Sequence, residues 1–217
     1  MAFAIDYLRR ERNNGNYIAL FINDDCIMPS DFVEKMRSVC AQERSIVAPV
    51  VVDSSDITRV VDAGVTIDWS RYRFHGRKDW PADSSFRDEV DVLPGRATFF
   101  PKEVFETIGN LDSDILPHYL CDYDFSLRAR KAGFRIGITG ETWIGADLGK
   151  TGFSSKGRRL TRKEAMFLAV ARKSQENFFD HSRFIWRHAP TRMTACKLLV
   201  LQLARSVYTI FANMRRG

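Results

Sequence analysis

Two groups of carboxylates have residue types and spacing that could bind a metal–phosphate ligand or move a proton. The first, Asn23, Asp24 and Asp25, follows the apolar run Tyr17–Ile22. Such a run predicts a strand buried on both faces, as in a parallel sheet covered by helices. Ligands collect at the carboxyl ends of strands in open α/β sheets. A divalent cation held by one or two carboxylates and substrate phosphates is one interpretation, and a solvated turn that caps the next helix is the other.

The second group is Asp122 and Asp124, in the first turn of a helix predicted from Cys121 to Ala132. Free backbone N–H groups and the helix dipole favour acidic side chains there, which accounts for one of the two. The preceding residues 116–119 indicate that the helix starts inside a pocket, where a carboxylate could act as a general base toward an acceptor hydroxyl. His118 is then either an acceptor-site residue or a packed neighbour.

Strands and helices alternate in the segments that must position these carboxylates. Predicted strands are Tyr17–Ile22, Ile46–Val52, Arg59–Trp69, Val90–Leu93, Ala97–Phe100 and Phe134–Ile138. Predicted helices are Met1–Arg12, one with Ser30 as its N-cap and an apolar face from Phe32 to Cys40, and Pro101–Ile108. This order predicts an α/β sheet flanked by helices. The polar, arginine-rich stretch Ser70–Asp88 predicts a long loop. The rings of Trp69, just before it, and Trp80, within it, would stack on a ligand ring or simply pack.

Beyond Lys150 the pattern becomes helical, with helices predicted at Thr161–Phe179 and Thr191–Met214 and a linker containing Pro190. The predicted domains are therefore residues 1–158, an α/β core, and residues 159–217, a helical extension. The last helix is amphipathic. It would pack on the core or on a dimer partner, or lie on the anionic cytoplasmic leaflet.

The overall composition limits which kinds of binding partner are expected. The formal net charge is +6 and the isoelectric point about 9.3, which favours an anionic partner. No nucleic-acid recognition motif is present, so nucleic acid is not expected. The four cysteines lack CxxC spacing, which predicts free thiols and a cytoplasmic setting. The N-terminus does not read as a signal peptide, and no uncharged apolar run reaches the roughly 20 residues that span a bilayer.

Three motifs together resemble the family 2 glycosyltransferases. Residues 95–105 followed by 108–112 resemble the family's run G…(R/P)-x-x-V-F-x-x-I-G-x-F-D. Residues 121–133 resemble the helix E-D-x-D-x-x-x-R-x-x-x-x-G that follows it in that family. Asn23–Asp25 lies where the family carries its D-x-D-like metal motif. The resemblance covers roughly Tyr17 to Gly152.

The resemblance implies a partial GT-A (Rossmann-like) fold and an inverting, non-processive sugar transfer in polysaccharide biosynthesis. Asp25 would bind Mg²⁺ or Mn²⁺ at the diphosphate of a nucleotide-sugar donor, and Asp24 would reach the ribose or share the metal. Asp122 would be the base toward a glycan or lipid-linked acceptor. Asp124 would orient that acceptor or support the helix start. The localisation implied is cytoplasmic, with the inner membrane face as an acceptor surface.

The same resemblance assigns Gly95 and Arg96 to donor binding, and the sequence departs from the family in three places. Cys121 replaces the glutamate before the base. No late histidine occurs in Thr142–Asp147, so metal binding would be weaker or would use Asp147. The family's first nucleotide-binding strands do not precede Tyr17, which implies that the family's domain is N-terminally truncated here or that a separate N-terminal partner chain supplies that half. A homo-oligomer is a further expected partner. A catalytically silent remnant that binds a partner or a membrane is the alternative function.

Overall fold

A computed structural model describes residues 17–80, 86–117, 119–147, 161–171 and 174–214. The chain divides into two compact units. The first unit comprises Met1–Ile67, Phe74–Leu111 and Phe125–Lys150, and the second comprises Asp68–Arg73, Asp112–Asp124 and Thr151–Gly217. The domain boundary predicted at residues 158 and 159 lies outside the described residues, as does the predicted helix Met1–Arg12.

The elements have the following bounds. The strands are β1 (Ile18–Ile22), β2 (Cys26–Ile27), β3 (Ile46–Asp53), β4 (Asp56–Asp62), β5 (Val65–Asp68), β6 (Arg73–Gly76), β7 (Phe86–Arg87), β8 (Ala97–Pro101) and β9 (Ile136–Ala146). The helices are α1 (Phe32–Glu43), α2 (Lys102–Ile108), α3 (Cys121–Lys131), α4 (Arg162–Val170), α5 (Phe178–His188) and α6 (Arg192–Met214). No helix among the described residues is long and apolar enough to cross a membrane.

The main sheet of the first unit is mixed. Its strand order is β1-β8-β3-β9-β2, with β4 paired to β3 and β7 paired to β9, while β5 and β6 form a separate two-stranded sheet. Strand β8 is antiparallel to both β1 and β3, and β3 is parallel to β9. Strands β1, β3 and β9 therefore run in the same direction. The predicted α/β fold, a mixed sheet flanked by helices with a C-terminal helical part, is confirmed.

Strand β3 lies at the centre of the core, with all eight of its residues buried. Because side chains alternate along a strand, Ala48 and Val50 join the hydrophobic cluster that holds the buried residues of α2 and α3. Val47 and Val51 join the cluster on α1. The helices thus cover both faces of this strand, which is why its sequence is a continuous apolar run.

A bulge in β9 accommodates the proline in the middle of β3. The parallel register runs from Ile46 to Pro49, where Pro49 opposes Thr139, and then jumps so that Val50 opposes Trp143. Proline has no N–H to donate to a ladder, so an interruption beside it is expected in a central strand. The extra β9 residues, 140–142, have no partner in this register.

Two predictions in the N-terminal part are wrong. Strand β1 is not a parallel strand buried on both faces: it is antiparallel to β8, and Ala19 is its one fully buried residue. Within the described residues β1 has no partner on its other edge. The N-cap of α1 is Asp31 rather than Ser30, and Val33, expected on the apolar face, is 51% exposed.

The remaining differences concern connections. The predicted loop Ser70–Asp88 contains β6 and β7, while the predicted strand Val90–Leu93 is reduced to one bridge between Val65 and Val92. Pro101 is the N-cap of α2 rather than its first residue. The predicted helix Thr161–Phe179 is two helices, because α4 ends at Val170 and α5 occupies most of the predicted linker.

Replacing Gly64 by alanine should destabilise the first unit. Gly64 has φ +93°, and an added Cβ would overlap Val90 Cγ1. The left-handed backbone and the overlap together should lower the free energy of unfolding by about 2–4 kcal/mol. Gly76→Ala is the matched control, because its Cβ would meet no atom within 4 Å. Urea unfolding of both variants measures the difference, and equal stabilities would contradict the close packing described for Gly64.

Candidate functional site

The carboxyl ends of β1, β3 and β9 meet at one end of the sheet, because the three strands run in the same direction. Asn23–Asp25 follows β1, Asp147 follows β9, and Arg96 precedes the antiparallel β8 at the same end. We call Asn23–Asp25, Arg96 and Asp147 the carboxylate edge. It lies where ligands bind in open α/β sheets.

The register of β2 against β9 brings two carboxylates of this edge together. Cys26 opposes Ala146 and Ile27 opposes Gly145 in an antiparallel pair. Asp25 directly precedes β2 and Asp147 directly follows β9, so these two half-buried residues lie at the same end of the ladder. Asp147 is the residue that the sequence suggested as a metal ligand in the absence of a late histidine. Asp24 lies in the same turn and is exposed.

Arg96 lies beside the same turn. The Asn23 N–H donates to the Arg96 carbonyl oxygen at 3.0 Å, which fixes the turn after β1 to the turn that precedes β8. Gly95 is the neighbouring residue of that second turn. Burial, followed by the nearby Asp25 charge, raises the pKa of the Cys26 thiol, while the Arg96 guanidinium acts in the opposite direction. Arg96 thus supplies positive charge next to the carboxylates.

Asp62 is a further acidic residue near Arg96 that the sequence analysis did not single out. Burial raises its pKa, against the opposing effects of the Gly64 N–H bond and the Arg96 charge. Asp62 Oδ1 accepts the Gly64 N–H at 2.8 Å. The sequence Asp62-Ala63-Gly64 is a turn signal, but that signal does not indicate proximity to Arg96.

The carboxylate edge fits a divalent cation that is shared with a phosphate ligand. Within the described ranges, no group of three or more His, Cys, Asp or Glu side chains could hold a metal by itself. Asp25 and Asp147 offer two carboxylates at one end of the ladder between β2 and β9. Mg²⁺ is usually held by one or two carboxylates plus substrate phosphates and water, and this donor set matches that arrangement.

In the second unit, Asp122 lies half-buried in the first turn of α3, where its Oδ1 accepts the Tyr123 N–H at 3.0 Å. Leu120, two residues earlier, has φ +65°, a strained backbone of the kind that concentrates at functional sites.

Burial, with a smaller effect of Asp122, raises the pKa of Cys121 to about 11. The thiol at the family's glutamate position is therefore uncharged at neutral pH. Predicted site residue His118 lies outside the described residues.

Asp124 is buried and neutralised within the second unit. Its carboxylate has no exposed surface, and its Oδ1 lies 2.8 Å from His188 Nε2 and 3.3 Å from Arg187 Nη1. Arg187 also pairs with Asp112 at 2.8 Å. A buried carboxylate needs such partners because removal from water is costly. We interpret Asp124 as support for the helix start rather than as a direct contact of the acceptor.

His188 was missed because α5 was predicted to be a linker. The local signals are nevertheless present. Asn177 caps α5, accepting the N–H groups of Phe179 and Asp180 at 2.8 and 3.1 Å, and Pro190 follows the helix end. These signals predict a helix, but they do not indicate which carboxylate His188 contacts.

The tryptophans of the predicted loop pack against protein groups. The Trp69 ring stacks on Phe184 with centroids 6.0 Å apart and planes 13° apart. Trp80 Nε1 donates to the Gly140 carbonyl oxygen at 3.1 Å. Of the two interpretations for these rings, packing describes both contacts.

Comparisons with known proteins find one kind of similarity, a distant similarity of backbone structure. No protein-family model and no curated protein sequence matches the chain. The chain is similar to the crystal structure of GalNAc-T7 with UDP, GalNAc and Mn²⁺, with 10% identity and a TM-score of 0.49. The similarity covers 92% of this chain and 41% of that one, so the chain spans less than half of its neighbour's length. A likeness at this level says nothing about chemistry, and membership of family 2 stays a prediction.

Removing the His188 side chain should destabilise the second unit. His188→Ala removes the partner that lies 2.8 Å from the buried Asp124 carboxylate, which should lower the free energy of unfolding by about 3 kcal/mol. His75→Ala is the control, because His75 is exposed on β6 and should change stability by less than about 0.5 kcal/mol. Urea unfolding at neutral pH measures both. If the two variants behave alike, the bond between His188 and Asp124 does not stabilise the fold.

Proposed function

We propose that the chain transfers a sugar from a nucleotide-diphosphate sugar to a hydroxyl group of a glycan or lipid-linked acceptor, with inversion at the anomeric carbon. The observation that carries the proposal is the register of β2 against β9, which places Asp25, before β2, and Asp147, after β9, at the end of the sheet where Arg96 also lies. Paired carboxylates next to a guanidinium suit a cation and a diphosphate bound together.

On the donor side, Asp25 and Asp147 would hold Mg²⁺ or Mn²⁺. The bound cation would neutralise the negative charge that develops on the departing nucleoside diphosphate. Arg96 would hydrogen-bond the same diphosphate, and the Gly95 backbone would allow it to approach closely. Asp24, exposed in the same turn, would reach the ribose or share the cation.

On the acceptor side, Asp122 would act as the general base. The acceptor O–H proton passes to the Asp122 carboxylate while the acceptor oxygen bonds to the anomeric carbon. The bond from that carbon to the diphosphate oxygen breaks, and the nucleoside diphosphate leaves with the electron pair. Asp124, held by His188, would keep the first turn of α3 in position, and His118 would contact the acceptor.

Metal-dependent binding of a nucleoside diphosphate should require the carboxylate edge. Asp25→Asn and Asp147→Asn should each weaken binding of UDP with Mn²⁺ by more than about tenfold, because loss of a direct ligand costs at least as much as loss of a group that orients one. Asp114→Asn is the matched control, an exposed aspartate outside this edge. Isothermal titration of the full chain measures all three.

The titration also separates the proposed function from the alternative. If UDP, dTDP and GDP all fail to bind with Mn²⁺ or Mg²⁺, the donor site does not operate in this chain. The catalytically silent remnant would then be the better description.

Replacing Asp122 should separate binding from chemistry. Asp122→Asn should leave the affinity for UDP with Mn²⁺ within about twofold of wild type, and it should slow sugar transfer about 10²- to 10⁴-fold through loss of the base. Transfer from a panel of UDP-sugars to glycan and lipid-linked acceptors measures the rate, with Asp114→Asn as the control. An unchanged rate would exclude Asp122 as the base.

A further inference from the structure

One face of helix α6 is exposed along four turns. The exposed positions recur every three or four residues, the period of one helix face. We call this face the outer stripe, and its residues are Met193, Cys196, Lys197, Val200, Leu203, Ala204, Val207 and Tyr208. At 1.5 Å per residue, the outer stripe is about 22 Å long.

The outer stripe exposes side chains that are normally buried. Met193 is 82% exposed, Val200 69%, Leu203 52%, Val207 42% and Tyr208 74%. A contiguous apolar surface of this kind marks an interaction site in a soluble protein, whereas scattered apolar residues do not.

The opposite face attaches α6 to the second unit. Ala195 and Leu198 on that face are buried, and α6 packs against α4 and α5. The Arg205 guanidinium donates to the backbone carbonyls of Arg71 and Tyr72 at 2.8 and 3.2 Å. The helix is therefore fixed by one face and presents the other outward.

All the charged side chains of α6 are cations. The segment Arg192–Met214 contains no aspartate or glutamate. Lys197 lies within the outer stripe, and Arg192 begins the helix with its guanidinium 4.5 Å from the centre of the Trp186 ring. Trp186 itself is 50% exposed. The stripe is thus an apolar strip with cations at its N-terminal half and exposed aromatic rings beside it.

This charge distribution decides between two occupants, a second copy of the chain and a lipid surface. Identical helices that pair through an apolar seam normally align opposite charges beside it. A parallel pair of α6 helices would bring cations toward cations, and an antiparallel pair would leave the cations without acidic partners, because α6 contains no Asp or Glu. Anionic lipid headgroups complement the cations, the apolar side chains reach the acyl boundary, and Trp and Tyr rings suit the interface between the two.

We propose that the outer stripe of α6 docks the chain on an anionic lipid surface, with Met193, Val200, Leu203 and Val207 inserted and Lys197 at the headgroups. This inference does not depend on the proposed sugar transfer. It concerns a surface of the second unit, while the donor groups lie in the first.

Co-flotation of the full chain with vesicles tests the docking. The chain should bind vesicles of phosphatidylcholine mixed with phosphatidylglycerol and not vesicles of phosphatidylcholine alone. The double variant Val200→Ser/Leu203→Ser should weaken binding by about tenfold or more, through lost apolar burial. Lys197→Gln should weaken it about fivefold, the value of one cation near an anionic surface. All three substituted side chains are exposed, so the fold is retained.

Matched controls lie in the first unit. Arg37→Gln removes an exposed cation from α1, and Ile57→Ser removes a 53% exposed apolar side chain from β4. Both should bind like wild type. Equal binding to the two vesicle types, or binding that survives the stripe variants, would overturn the proposal. So would a dimer in sedimentation that Val200→Ser/Leu203→Ser dissociates without any vesicle binding, because the stripe would then be a contact between copies.

Discussion

Burial of β3 along its whole length is the constraint on which the first unit depends. A buried strand must satisfy its backbone N–H and C=O groups through neighbours on both edges. Strand β9 provides one edge, and β8 and β4 provide the other. Because β1, β3 and β9 run in the same direction, their carboxyl ends lie at the same end of the sheet. The carboxylate edge is therefore a result of strand direction, and the acidic residues use a location that the core creates.

The acidic residues of the candidate site divide into two physical classes. Asp25 and Asp122 are half-buried residues at element ends. Asp124 is fully buried and is balanced by His188 and Arg187. Side chains of the first class can change partners during a reaction at low cost. A side chain of the second class cannot, because separation from its partners leaves a charge in a medium of low polarity.

Local signals predicted much of the first unit. The apolar run of β3, the glycine after α3 and the proline before α2 each determine structure within a few residues, so those elements were found. Strand β1 was assigned the wrong environment because a continuous apolar run does not reveal whether its partners are parallel or antiparallel. The placement of Asp25 and Asp147 at one end of the ladder requires the register of β2 on β9. That register joins distant parts of the chain, so a local sequence pattern cannot predict it.

The second unit was harder to predict for the same reason. Asp124 was noticed for its position in a first turn, but its partner is 64 residues away on a helix that had been interpreted as a linker. The sequence pattern of α6 predicted an amphipathic helix. Which face would be covered depends on α4 and α5, which the sequence analysis had merged or overlooked.

The contact between Asp124 and His188 also has a consequence for synthesis on the ribosome. The carboxylate is made 64 residues before the imidazole that it contacts. At about 5–20 residues per second, that separation corresponds to roughly 3–13 s of elongation. During this interval the nascent Asp124 side chain must stay hydrated, so the start of α3 cannot become buried before His188 has emerged. The second unit therefore acquires its native interior only after His188 has been made.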